Sequence, residues 1–450
     1  MSREVEIAAD LLAKARRTGA TDADLILAES EAFSVQVRLG ELDKVSQAQE
    51  KRLGLRVFFG HRSAVTSTSD LSRASLEKLL DETCTLAQAT AVDEHAGLPS
   101  PEECVKKIPD MDLWDPSIRS LSVEEKIRLA KETEQAALKY DLRIINSEGA
   151  DFSHDEGRVL YANSHGFIGE YAVSSHSLSV SPIAAEPGSD NMQRDYWYSV
   201  QRKLSKLEPP VRIGQTAAQR TLRRLGAKKI ATQQVPVIFD SEMSAGLLSS
   251  LFAAVSGSAI YKGASFFIGK LGHQIASPLV TVYDDGTIPG ALGSKPFDAE
   301  GLPTRKTTVV EKGMLKSYLL DSYSARKLGL ASTGNATRGV GDSPSVGPTN
   351  FYLVAGKSLP EEIIRSVSRG LYVVELMGFG VNHVTGDYSR GAMGLWIENG
   401  ELTYPVEEIT IAGNLKEMLM NVEMVGNDLE FRGRIAAPTL KISQMTVAGN

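Results

Sequence analysis

Residues Ala32–Ser69 read AFSVQVRLGELDKVSQAQEKRLGLRVFFGHRSAVTSTS, with apolar and polar residues alternating and glycines at 40 and 60. A period of two sends successive side chains to opposite faces of a sheet, so the stretch predicts a meander of four or so strands. Ahead of it, Val5, Ala8, Ala9, Leu12 and Ala15 fall at helical spacing. Behind it, residues 70–90 predict a helix with Ser69 or Asp70 as cap and Leu76, Leu79, Leu80, Thr83 and Leu86 inward. Residues 1–90 therefore read as an α+β unit.

Residues 91–113, with Pro99, Pro101 and Pro109, read as a linker. The middle region, 114–230, opens on the capping box Ser122–Glu125, in which side chain and backbone satisfy each other's free donors. A second antiparallel run follows, with turns expected at Glu148-Gly149, Glu156-Gly157 and His165-Gly166. A basic helix from Gln215 to Leu225 stops at Gly226, its arginines expected outward. From 231 to 450 the pattern is mainly strands and Gly-rich loops. It includes a hairpin at Lys312-Gly313, a helix capped by Ser358 and running to Gly370, and a type I′ hairpin at Asn399-Gly400. The fold class is α+β, with a large, mainly antiparallel β C-terminal domain.

With 450 residues, 42% hydrophobic and 23% charged, the chain can bury two or three substantial cores. A net charge of −7 argues against a surface built globally for nucleic acid. Two cysteines, Cys84 and Cys104, give no disulfide framework. No run approaches the roughly 20 apolar residues of a membrane span, and the opening MSREVEIAADLLAKARR lacks a signal peptide's apolar core. A cytoplasmic protein is expected.

VPVIFD (Val235–Asp240) predicts a strand that enters a helix through an Asp cap, a common place for an active site. That helix runs through GLLSSLFAAVSG, where Met243, Leu247, Leu248, Leu251, Phe252 and Val255 make one broad apolar face. The other side carries Ser249, Ser250 and Ala254, with no titratable group. No G-x-S-x-G elbow, H-E-x-x-H or Cys-x-x-Cys occurs. His154, His165 and His176 are evenly spaced and define an alternative metal site or autonomous hydrolase. Asp284, Asp285, Asp298 and Glu300 share a long loop without calcium-loop spacing and read as turn caps. Arg338 is the strong anion contact of the Gly-rich loop Thr333–Asn350. The basic stretch 202–229 defines another alternative, a DNA- or topoisomerase-associated binding protein, though a solvated surface is the plainer reading.

GFGVNHVTGDYSRGAMGLWIENGELTYPVEEITIAGNLKEMLMNVEMVGNDL (Gly378–Leu429), together with VTVYDDGT, DAEGLPT, GMLKSYLLDSYSARKLG and PTLKISQMTV, closely resembles the PmbA/TldE branch of the TldD/PmbA family. That family was once called modulators of DNA gyrase and is regarded as metallopeptidases; the resemblance spans essentially the whole chain. It implies a closed, hollow complex with a TldD-type subunit in which unfolded peptides are cut, with self-association as an alternative assembly. In the TldD-type subunit the corresponding helix carries H-E-x-x-x-H for zinc, and a later cysteine completes the site. Here Ser249, Ser250 and Ala254 stand at those places, and EFRGRIAAP (Glu430–Pro438) holds no cysteine. The resemblance thus implies no cofactor in this chain, zinc in the partner, and a wall-forming role without catalysis. Arg338, His383, Asp387 and Arg390 are the candidates for substrate or partner contact. Nucleic acid and membrane are not expected partners.

Overall fold

The computed structural model describes residues 2–449. α1 (Arg3–Arg17) starts from Ser2 and buries Ala8, Leu11, Leu12 and Ala15. The expected meander forms as three long strands, β1 (Asp22–Arg38), β2 (Glu41–Phe59) and β3 (Arg62–Thr68). The period-two signal continues through each strand, and only the left-handed turns at Leu39-Gly40 and Gly60 divide it. α2 (Arg73–Ala89) is capped by Ser72, and Asp70 accepts from the Ser72 amide at 2.8 Å. The cap thus lies two residues beyond Asp70.

α3 (Val123–Leu138) begins at the Ser122–Glu125 capping box. β4 (Ile144–Asn163) and β5 (Ile168–Ala185) turn at His165-Gly166 alone. Of the other two expected turns, Gly149 sits at a bulge within β4, and Gly157 lies mid-strand. β6 (Met192–Arg194) and β7 (Trp197–Gln201) both pair with β5.

β1 pairs with β4 from Asp24–Asn163 to Val37–Ala150. One seven-stranded sheet therefore runs through both the N-terminal and the middle residues. Leu25, Leu27, Phe33, Val35 and Val37 share one face of β1, because equal parity means equal side. The first two pack with α1 and α2 in one core, and the last three with α3 and α4 (Pro210–Leu222) in another. The sheet carries two helical layers at opposite ends of a single face.

In the C-terminal half, β8 (Gln233–Phe239) pairs parallel with strand Arg369–Met377 and antiparallel with strand Leu440–Ala448. Strands Asp387–Glu398 and Glu401–Asn414 complete a ring, because the second also pairs with Leu440–Ala448. Five strands thus close on themselves, which removes free edges. Asn399 and Gly400 take φ of +54° and +81°, as a type I′ turn requires. The helix after Ser358 is shorter than expected, Pro360–Arg365, since Arg369 already begins a strand. α5 (Ser241–Val255) follows β8, and its Leu247, Leu248 and Leu251 join the core shared with a second, five-stranded sheet. The architecture is α+β with a β-rich C-terminal region. Among the described residues no helix is long and apolar enough to cross a membrane.

Candidate functional site

Asp240 caps α5 by accepting from the Met243 amide at 2.8 Å. Burial raises its carboxyl to about 6, against the pull of Arg220. Beyond the cap the helix supplies little chemistry. Ser249 is exposed, Ser250 is half-buried and donates to the Gly246 carbonyl at 3.4 Å, and Ala254 is buried in the core. Among the described residues, no three histidine, cysteine or carboxylate side chains converge to hold a metal. Two hydroxyls and a methyl do not fit a zinc site, since zinc selects imidazole, thiolate and carboxylate donors.

The polar side of α5 nevertheless has neighbours with ligand-like groups. A methyl built on Gly246 would stand 3.9 Å from Arg390 Nη1. Arg390 Nη2 donates to the Leu376 carbonyl at 3.4 Å. Tyr388 lies on the same strand, 2% exposed, and burial pushes its phenol up to about 12. His383 accepts through its carbonyl from the Phe266 amide at 3.1 Å, and burial lowers its imidazole. His383 Nε2, Tyr388 Oη and Arg390 Nε have no hydrogen-bond partner among the described residues. Asp387 instead faces outward and accepts from Thr385 Oγ1 at 2.6 Å, a loop-closing bond. This constellation can donate hydrogen bonds to a bound group. It pairs no serine with a base, which nucleophilic catalysis needs. Tyr388 escaped the sequence reading because an isolated tyrosine in an alternating strand carries no signal of its own.

Arg338 is not a loop-borne anion contact. Its side chain is 1% exposed and its Nη1 lies 3.1 Å from Asp24 Oδ1 on β1. Arg56 grips the same carboxylate at 3.1 and 2.6 Å, and Tyr161 Oη donates to it at 3.2 Å. The two guanidiniums hold Asp24 below the usual carboxylate range despite its burial. Asp284 accepts from Thr349 and Asn335, and Asp298 from the amides of Glu300, Leu302 and Ala336. Asp285 and Asp298 cap local turns, as the spacing suggested. Asp284 instead bridges to residues 51 and 65 positions away, and Glu300 accepts from the Ser322 amide, 22 positions on, so these two tie distant segments together.

The basic stretch is largely consumed inside the molecule. Arg220 and Arg224 point inward, contrary to the outward orientation expected from their helix, because buried carboxylates meet them there. Arg220 reaches Asp195 at 3.5 Å, Asp240 at 3.8 Å and Glu242 at 3.3 Å. Arg224 lies 3.7 Å from Asp195 and also pairs with Glu375. Arg202 donates to the carbonyls of Ser174 and Leu292. Lys203, Arg212 and Lys229 pair with Asp112, Glu208 and Glu408.

The three histidines do not converge. His154 and His176 stand opposite each other on β4 and β5, ring centres 6.3 Å apart. His165 sits at the hairpin tip and bonds Asp22 at 2.7 Å. Burial and the nearby Lys126 ammonium lower His154 to about 4, so it is a neutral ring stacked on Phe33.

The chain matches the PmbA/TldA metallopeptidase domain 1 over residues 23–87, the central domain over 116–225 and the C-terminal domain over 232–449. It is 40% identical to the metalloprotease PmbA of Escherichia coli O157:H7, covering 95% of this chain and 92% of that one. A PmbA homolog of Haemophilus influenzae is 37% identical, covering 100% and 96%. The same H. influenzae strain has a metalloprotease TldD homolog, 26% identical over 95% and 92% of the two chains. A crystal structure from Bacteroides thetaiotaomicron, described as a modulator of DNA gyrase, superposes with a TM-score of 0.92 at 30% identity, covering 100% of both chains. The chain belongs to the PmbA/TldD metallopeptidase family.

Proposed function

We propose that this chain is the non-catalytic subunit of a two-component peptidase that acts on unfolded peptides in the cytoplasm. A TldD-type subunit supplies the zinc and the general base; this chain holds neither. The observation that carries the reading is α5, a capped helix with Ser249, Ser250 and Ala254 where the family's resemblance calls for zinc ligands. The neighbouring Arg390 and Tyr388 retain donors that can contact a peptide without cleaving it. The coexistence of PmbA and TldD homologs in one organism supports a paired assembly.

The test is reconstitution with the TldD-type protein of the same organism. Peptide hydrolysis by the mixture is expected to exceed greatly that of either chain alone. The Ser249→Ala/Ser250→Ala double variant should leave the mixture active, whereas replacing the partner's metal-site Glu by Gln abolishes activity. A folded, assembled double variant without activity overturns the proposal.

A further inference from the structure

Between the two helical layers, the middle of the first sheet is left bare. It forms the floor of a cleft of roughly 600 Å³. β1 brings Glu29 and Glu31 to this floor, and β4 brings Glu156 and Arg158. On one side α1 reaches down through Glu4 to Lys51 at 2.8 Å. On the other side stands the segment carrying Trp114 and Arg119.

Across the floor the charges are not evenly matched. Glu29 pairs with Lys51, and Arg158 with Glu170. One row further on, Glu31 and Glu156 face each other directly on adjacent strands, an arrangement that repels unless a cation is shared. Glu31 accepts from Gln47 at 2.9 Å, and the only ammonium that acts on it among the described residues is Lys126, which sits over the Phe33 ring rather than in an ion pair with it. Glu156 is met by Arg119, Nη2 at 3.1 Å and Nε at 3.3 Å from the same oxygen. The Arg119 guanidinium carbon lies 6.0 Å from the Trp114 ring centre, and Trp114 Nε1 donates to the other Glu156 oxygen at 3.4 Å. Yet Arg119 is 73% exposed and ends a single turn, Pro116–Arg119. Such an exposed pair contributes little and exchanges freely.

We infer that this cleft is a binding site for an arginine side chain of another polypeptide, which displaces Arg119 from Glu156, shares its charge with Glu31 and lies against Trp114. Arg119 marks the chemistry the site accepts: a planar, delocalised cation between a carboxylate and an aromatic face. The side is open to an incoming chain, because β3 covers β2 only from Leu53 onward and leaves Glu41–Arg52 without a neighbour on that edge. The inference does not depend on the subunit role proposed above.

Fluorescence anisotropy at low salt tests it, using a fluorescein-labelled Gly-Ser-Arg-Ser-Gly peptide and its citrulline counterpart, which has the same shape without the charge. The arginine peptide is expected to bind the full-length chain at least about tenfold more tightly than the citrulline peptide. Arg119→Ala, an exposed change that spares the fold, should tighten binding by roughly threefold or more, as the internal competitor is gone. Glu31→Gln and Glu156→Gln, with unchanged melting temperatures, should each weaken it by about tenfold. Equal binding of the two peptides, unaltered or weaker binding by Arg119→Ala, or no binding at millimolar peptide each overturns the inference.

Discussion

Two of the arginine-centred contacts that join the C-terminal half to the rest of the chain are built differently. At Asp24, one carboxylate receives Arg56, Arg338 and Tyr161, all within 3.2 Å. At Arg220, the three acid partners stand 3.3 to 3.8 Å away. Several polar atoms there, including Arg220 Nε and Asp195 Oδ2, lack a hydrogen bond among the described residues. Close geometry keeps Asp24 ionised in spite of burial, while looser geometry lets burial win at Asp240 and Glu242, whose carboxyls are raised. The first contact is a fixed clamp. The second yields to protons.

The largest effect should come from breaking the clamp. Asp24→Ala leaves Arg56 and Arg338 buried without their counter-charge and should cost about 3–5 kcal/mol by chemical denaturation. Its contribution is present above the unfolded pKa and is lost only as pH falls through the lower, folded value. The penalty should therefore be the same at pH 7 as at pH 5. A variant that recovers stability on going to pH 5 would erase the distinction between the contacts.

Arg220→Met should cost less, about 2–3 kcal/mol at pH 7. At pH 5 the penalty should shrink, because Asp240 and Glu242 take up protons and cease to need the guanidinium. Asp240→Asn refines this further. Its folded pKa of about 6 lies above the unfolded one, so its charge destabilises the fold progressively as pH rises from about 4 to 6. The Asn variant should lack this slope, gaining at most about 3 kcal/mol over the parent at pH 7, read from melts across that range. The smallest effect belongs to α5's own exposed face. Ser249→Ala should change stability by less than about 0.5 kcal/mol, because its hydroxyl holds nothing together.

Local features were legible in the sequence, and long-range ones were not. The Ser122–Glu125 box, the Asp240 cap and the Asn399-Gly400 turn depend on residues two to four apart, so the pattern alone places them. Arg220 on α4 and Arg224 just after it were misread, because their inward turn depends on carboxylates at Asp240, Glu242 and Glu375, far along the chain. Pairing of β1 with β4 likewise joins regions that composition separates at the proline-rich segment 91–113. One signal was available and went unread. His154 and His176 lie equally far from His165, and a hairpin turning at His165-Gly166 brings the outer two face to face and leaves the middle one at the tip. Of the candidate site, the emptiness of α5 was readable from residue types. The placing of Arg390 and Tyr388 beside it needed the strand register.

The closure of the five-stranded ring sets an order on synthesis. The first sheet has all its strands once Gln201 has emerged from the ribosome, so it can fold while translation continues. β8 and α5 emerge next, but β8 lacks the neighbour Leu440–Ala448 for another two hundred or so residues. During that interval the apolar face of α5 and one edge of β8 are exposed to whatever else is nearby. The nascent C-terminal half is therefore the stage at which this chain most needs shielding by a chaperone, and the last strand to arrive seals it.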